Sequence, residues 1–179
     1  RTILNYMNYK IKNKFALVTG ASRGIGQEIC KTLAKEGAKI IACSRNKKDL
    51  KKLISSLPNE KHHIMFNIDL SKKSNLSKLV KIIKNKKIYP DIIVNNLGGN
   101  LGYNDPLGPI EEWQKVMFLN VEVAIEINRA FIPHMIKKKW GRICHISSIS
   151  AIENQGPPSY CASKAALNAY VRSLARYVA

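Results

Sequence analysis

Residues 14–26, KFALVTGASRGIG, decide the fold. The run Phe15, Ala16, Leu17, Val18 is too short for a helix and reads as a buried parallel strand. Gly20, Gly24 and Gly26 follow, and Ile25, Ile29 and Leu33 then recur at helical spacing. Glycine accepts positive φ in a tight turn and has no Cβ to keep a phosphate off the backbone. The next helix adds unpaired N–H groups and the positive end of its dipole. The stretch therefore predicts a strand, a phosphate-cradling turn and a helix.

Working outward, strands are predicted at 38–43, 62–68, 91–96 and 142–147. Helical patterns lie between them at 47–56, 72–86 and, unbroken, 110–138, with another from Ser159. Alternation at this spacing calls for right-handed crossovers and a doubly wound parallel sheet, a three-layer α/β/α architecture. No internal repeat or linker divides the chain. The segment 98–109, GGNLGYNDPLGP, follows the fourth strand. Ligands in open α/β sheets bind beyond the carboxyl ends of strands, so this loop reads as part of the cleft.

The 179 residues make one domain. The sequence opens at Arg1 without a Met and stops at Ala179 inside a helical pattern, so a C-terminally truncated fragment is expected. No run approaches the roughly 18–20 apolar residues that span a bilayer, and RTILNYMNYK lacks the apolar block of a leader, which reads as cytoplasmic. Cys30, Cys43, Cys144 and Cys161 are scattered without a Cys-x-x-Cys pair, and His62, His63, His134 and His145 show no metal spacing; no metal site is predicted. The thiols read as reduced and mostly buried. The net charge of +18 raises nucleic-acid binding, but 23 of the 30 basic residues are Lys spread over nearly every helical surface, and no aromatics interleave with them. A solvated Lys-rich surface explains the charge, and no nucleic-acid partner is predicted.

In SYCASKAALNAYVRSLARYVA, beginning at Ser159, Tyr160 and Lys164 stand four apart on one helix face. An ammonium beside a phenol favours the phenolate and lowers its pKa from about 10, giving a proton donor and acceptor usable near neutrality.

Here the chain resembles the short-chain dehydrogenase/reductase family in its classical, single-domain form, with 3-oxoacyl-carrier-protein reductases nearest and sugar oxidoreductases also in range. The resemblance rests on Thr19-Gly20-x-x-x-Gly24-x-Gly26, Asn95-Asn96-Leu97-Gly98, Asn120, GRICHISS ending at Ser148, and Tyr160-x-x-x-Lys164, in that order. Leu97 departs from the usual Ala, and the family's two further C-terminal strands have no counterpart in the sequence.

The resemblance implies a single NAD(P)-binding Rossmann domain over 1–179 and hydride transfer between a nicotinamide and a carbonyl or alcohol carbon of a small-molecule substrate. Tyr160 would move the proton, Ser148 would bond the substrate oxygen, Lys164 would act on Tyr160 and the ribose, and Asn120 would hold a relay water. Ser147, on the opposite strand face, stays an alternative to Ser148. Cofactor contacts are implied at Gly20, Ser22, Arg23, Gly24, Ile25, Gly26, Ser44, Arg45, Asp69, Leu70, Asn96, Leu97, Gly98, Tyr160 and Lys164. Asp69 reads equally as a helix cap. The second strand ends Cys43-Ser44-Arg45 without the acid that would bond a ribose 2′-hydroxyl, and Arg23 lies in the turn, so NADP(H) is expected over NAD(H). A homodimer or homotetramer is implied. The competing reading is a non-catalytic NADP(H) sensor, which would not need Ser148, Tyr160 and Lys164 together.

Overall fold

The computed structural model describes residues 9–178. Most of the N-terminal stretch read above for a leader, residues 1–8, and Ala179 lie outside them. Among the described residues no helix is long and apolar enough to cross a membrane.

The strand predicted from the opening stretch is β1, Phe15–Thr19, and it is central. Ala16, Leu17 and Val18 are fully buried, as expected of a strand covered on both faces. Four parallel neighbours complete the sheet: β2 (Lys39–Ser44), β3 (Ile64–Asn67), β4 (Ile92–Asn95) and β5 (Arg142–His145), in the order β3-β2-β1-β4-β5. The chain moves outward from β1 to β3, then crosses to the other side of β1, so the order reverses between β1 and β4.

Side-chain alternation divides the core. Ala16, Val18, Ile40 and Ala42 meet Cys30 and Ala34 of α1 (Gly24–Lys35) and Leu50 and Leu53 of α2 (Lys47–Ser56) on one face. Leu17, Ile41 and Ile93 meet Leu76, Leu79 and Ile83 of α3 (Lys73–Asn85) and Ile127, Phe131 and Met135 of α5 (Val123–Lys138) on the other. Burying each such side chain contributes roughly 1.5–3 kcal/mol, so these two layers dominate the favourable terms. At the edge remote from the cleft, Asp91 accepts from the Phe15 N–H at 3.0 Å and pairs with Lys138, joining β1 to α5.

Three predicted elements change. The fifth strand stops at His145, so Ser147 and Ser148 lie beyond it and are not parted by strand alternation. The third strand begins at Ile64 because Glu60–His62 forms a 3-10 turn and the His63 ring Nδ1 accepts the Ile40 N–H at 3.0 Å, taking the place of a backbone ladder bond. The helix predicted unbroken over 110–138 is α4 (Ile110–Met117), a π-helical turn (Phe118–Glu122) and α5. Two further helices follow, α6 (Ser150–Glu153) and α7 (Pro158–Val178), and Leu167 of α7 packs against Val121 of the π-helical turn and Ala124 of α5.

Candidate active site

Beyond the carboxyl ends of β1, β2 and β4, where strand order reverses, lies a cavity of about 690 Å³. One wall is the glycine turn. Gly20 and Gly24 hold φ of +64° and +54°, which L side chains adopt only with strain. Arg23, the N-cap of α1, provides no side-chain cap, and the first turn carries no acid, leaving the helix N-terminus open to an anion.

Of the expected cofactor residues, Gly20, Ser22, Arg23, Gly24, Ile25, Ser44, Arg45, Asp69, Leu70, Asn96, Leu97 and Gly98 all line this cavity. Gly26 does not. A Cβ there would stand 2.4 Å from Gly20 O and 2.5 Å from Asn96 Nδ2, so its place is behind the turn, where helix and strand close together. Asn96 fixes the same junction from the other side, its Nδ2 donating to Thr19 O at 3.0 Å and Gly20 O at 3.2 Å. Thr19 Oγ1 accepts from the backbone N–H groups of Asn96 and Leu97. The ends of β1 and β4 are thereby locked together.

At the β2 end the Ser22 and Ser44 hydroxyls bond at 2.8 Å, and Arg23 and Arg45 stand at the same wall. Asn46 and Asp49 also line it; the Asp49 carboxylate is engaged by Asn46 Nδ2 at 2.6 Å. Burial of Asp69 works against its ionisation but is outweighed by hydrogen bonds from Ser71 and by the charges of Arg45 and Lys72, which hold the carboxyl below its ordinary range. Asp69 Oδ1 accepts from Ser71 N and Oγ, which makes the turn expected of it, but α3 has Lys72 as its N-cap without a side-chain cap, so Asp69 does not cap that helix. Cys43 lies at the cavity floor, where burial, then the neighbouring Cys30, pushes its thiol pKa up and leaves it inert. Of the four cysteines only Cys144 is exposed.

The open cradle, the uncapped helix end, the paired hydroxyls and the two guanidiniums fit a dinucleotide carrying phosphates. The fit is one of donor chemistry as well as space.

At the inner end of the cavity Gly98 separates the lining from Asn120 and Lys164, two of the groups expected to do chemistry. A Cβ on Gly98 would lie 2.6 Å from Asn120 Oδ1 and 3.0 Å from Lys164 Nζ, so cleft, π-helical turn and α7 converge on this one glycine. Asn120 Oδ1 accepts from Gly99 N at 3.0 Å, and its Nδ2 donates to Gly99 O at 2.8 Å and Val116 O at 2.9 Å. Its side chain thus clamps the loop. Lys164, 3% exposed, donates to Ile146 O at 2.8 Å, and its Nζ lies 5.7 Å from the centre of the Tyr160 ring. Burial lowers the Lys164 pKa to about 8. Ser148 Oγ accepts from Ser150 N at 3.2 Å and lies 3.1 Å from Ser150 Oγ, starting α6, whereas Ser147 Oγ is buried without a partner among the described residues.

The cleft loop read from the sequence includes Gly99, Asn100, Leu101 and Gly102, which line the cavity, whereas Asn46 and Leu119 were missed as its walls. Asn46 carried a signal: its Oδ1 accepts from Asp49 N as the N-cap of α2, which places it beyond β2 beside the cleft. Leu119 carried none, because the π-helical turn that aims it is set by tertiary contacts.

The short chain dehydrogenase family model matches residues 14–179. The chain belongs to the short-chain dehydrogenase family. Its relatives are oxidoreductases. They include the NADPH-dependent pterin aldehyde reductase of Arabidopsis thaliana, 34% identical over 96% of this chain and 72% of the relative. A 3-oxoacyl-[acyl-carrier-protein] reductase of Rickettsia typhi is 38% identical over 93% of this chain and 67% of its own. Among solved structures, a 7α-hydroxysteroid dehydrogenase in complex with NADH and 7-oxo glycochenodeoxycholic acid superposes with a TM-score of 0.85 at 29% identity, covering 94% of this chain and 66% of that one. As a short-chain dehydrogenase the chain is an NAD(P)-type oxidoreductase with a Rossmann sheet, resembling the 3-oxoacyl-carrier-protein reductases. It spans two thirds to three quarters of the length of these proteins.

Proposed function

We propose that this chain carries the cofactor cleft and catalytic groups of an NADP(H)-dependent reductase acting on a carbonyl or secondary alcohol of 3-oxoacyl or sugar type, in a cytoplasmic homodimer or homotetramer. The observation that carries the reading is the convergence at Gly98, where a cleft walled by two guanidiniums meets Asn120 and Lys164. The carbonyl chemistry named for the pterin aldehyde and 3-oxoacyl relatives supports the substrate class.

The nicotinamide cofactor supplies or accepts the hydride. The glycine turn from Gly20 to Gly24 and the N-terminus of α1 bind its pyrophosphate, with Ile25 beside them and Gly26 closing the helix onto the strand. Ser22, Arg23, Ser44 and Arg45 receive the 2′-phosphate. Asp69 and Leu70 border the adenine, and Asn96, Leu97 and Gly98 wall the inner end. Tyr160 gives a proton to the substrate oxygen in reduction and takes it back in oxidation. Ser148 donates a hydrogen bond to that oxygen as charge develops. Lys164 places a cation beside Tyr160 and bonds the ribose. Asn120 keeps the loop at Gly99 in register, and a proton reaches Tyr160 along this inner wall.

The test is carbonyl-dependent NADPH oxidation, with Tyr160→Phe as the control. Positioned acid–base groups contribute roughly 10²–10⁴-fold, so the variant is expected to lose at least a hundredfold in kcat while still binding NADPH. Full activity in Tyr160→Phe would disprove the mechanism, and a clear preference for NADH would disprove the cofactor assignment.

A further inference from the structure

Behind α7 four elements meet in a buried polar junction. Asn95 of β4 donates from Nδ2 to Asn128 Oδ1 at 3.1 Å and to His145 Nε2 at 3.1 Å. Asn128 of α5 donates from Nδ2 to the same His145 Nε2 at 3.0 Å and to the Tyr170 hydroxyl at 3.0 Å. Each amide uses both of its N–H groups, while Asn95 Oδ1 and His145 Nδ1 have no partner among the described residues. With both amides oriented this way, His145 Nε2 is the shared acceptor and the ring proton sits on Nδ1. The Tyr170 ring stands edge-on to His145, centroids 6.0 Å apart at 82°.

We propose that His145 is a positioning residue: by accepting from Asn95 and Asn128 together, it braces α7 through Tyr170 and so sets where Lys164 stands. The inference rests on the proposed roles of Tyr160 and Lys164. Tyr170 follows Lys164 on α7 by about a turn and a half, and Ile146, next to His145, accepts from Lys164 Nζ at 2.8 Å. One strand end thus holds the helix at two points, by ring and by carbonyl. Asn128 is fully buried and Asn95 is 4% exposed, so an amide robbed of its acceptor there has no water to turn to.

Protonation would put an N–H against two N–H donors, and burial together with Lys164 lowers the His145 pKa to about 4, keeping the ring an acceptor through the neutral range. From α7 the ring faces Tyr170 and the Lys164 ammonium; from α5 and β4 it faces the two uncharged amides.

The experiment compares His145→Phe, which fills the ring's space without an acceptor, with His145→Gln, which returns an acceptor oxygen, and with Tyr170→Phe, which removes only the hydroxyl. His145→Phe is expected to lower kcat at least tenfold with KM for NADPH within about twofold of the parent; His145→Gln should recover kcat to within about threefold. Independently of turnover, the Lys164 titration is read from its ¹³Cε shift. Its midpoint should rise toward the ordinary lysine value in His145→Phe, rise less in Tyr170→Phe, and stay in place in His145→Gln. A Lys164 titration unmoved in both Phe variants overturns the proposal, and so does equal loss of kcat in Gln and Phe variants. A parent that never oxidises NADPH with any carbonyl overturns the proposed function instead, and the titration then decides the brace alone.

Discussion

Burial holds the Lys164 pKa at about 8 against an ordinary 10.5, so at neutral pH the fold carries a cation that water would solvate better. Between pH 8 and 10.5 the unfolded chain binds more protons than the folded one, and stability therefore rises with pH through that window. Below pH 8 the whole penalty is present, on the order of 3–4 kcal/mol at about 1.4 kcal/mol per pKa unit. The bond to Ile146 O returns roughly 1 kcal/mol. Lys164→Met should accordingly gain about 2–3 kcal/mol at pH 7 while losing reductase activity, a trade of stability for function. Urea unfolding at pH 7 and at pH 10.5 checks this: the difference between parent and variant should shrink at the higher pH. A variant less stable than the parent at pH 7 would mean that the ammonium's bonds outweigh its desolvation.

At the scale of the elements, the strand–turn–helix unit predicts opposite fates for two of its glycines. An alanine Cβ at Gly26 would meet Gly20 O at 2.4 Å, a backbone atom already held by Asn96, and neither partner can yield without parting α1 from β1. Overpacking of this kind costs roughly 1–3 kcal/mol. At Gly24 there is open space within 4 Å and only the φ of +54° opposes the methyl, which costs about 1–2 kcal/mol. Gly26→Ala should therefore be the less stable variant in urea, and it should also weaken NADPH; Gly24→Ala should lose only the roughly 1–2 kcal/mol that its φ imposes. An equal or reversed order would remove Gly26 from the packing role.

The same unit marks what was legible in the residues. Strand, turn and helix could be read from 14–26 because the strand's burial and the turn's φ values are local demands met by local residue choice. The π-helical turn could not, since apolar spacing runs on through 110–138 and the extra residue is stabilised by Asn120 reaching Gly99, distant in sequence. Nor could the His145 junction, where no single residue is unusual until four elements bring Asn95, Asn128, His145 and Tyr170 together. α6 had a faint cue in Ser148 and Ser150, whose side-chain and backbone bonds start its single turn.

At the scale of the whole molecule, the net charge of +18 attracts any anion, so affinity for a phosphorylated cofactor is not by itself evidence that Arg23 and Arg45 read the 2′-phosphate. Salt separates the two contributions. Diffuse attraction acts on the pyrophosphate of both nicotinamide cofactors and is screened for both as the Debye length falls from about 14 Å at 0.05 M toward about 4 Å at 0.5 M. Contact between a phosphate of about −1.5 to −2 charge and the arginines at the β2 end is lost only for NADPH. Over that range KM for both should rise, and the NADPH:NADH ratio of kcat/KM should fall by several fold while staying above one. Arg45→Asp should cut that ratio at low salt by at least tenfold, about 1.4 kcal/mol, with kcat for NADH little changed. If salt weakens both cofactors equally and Arg45→Asp leaves the ratio intact, the preference belongs to the global field and the β2 end does not read the phosphate.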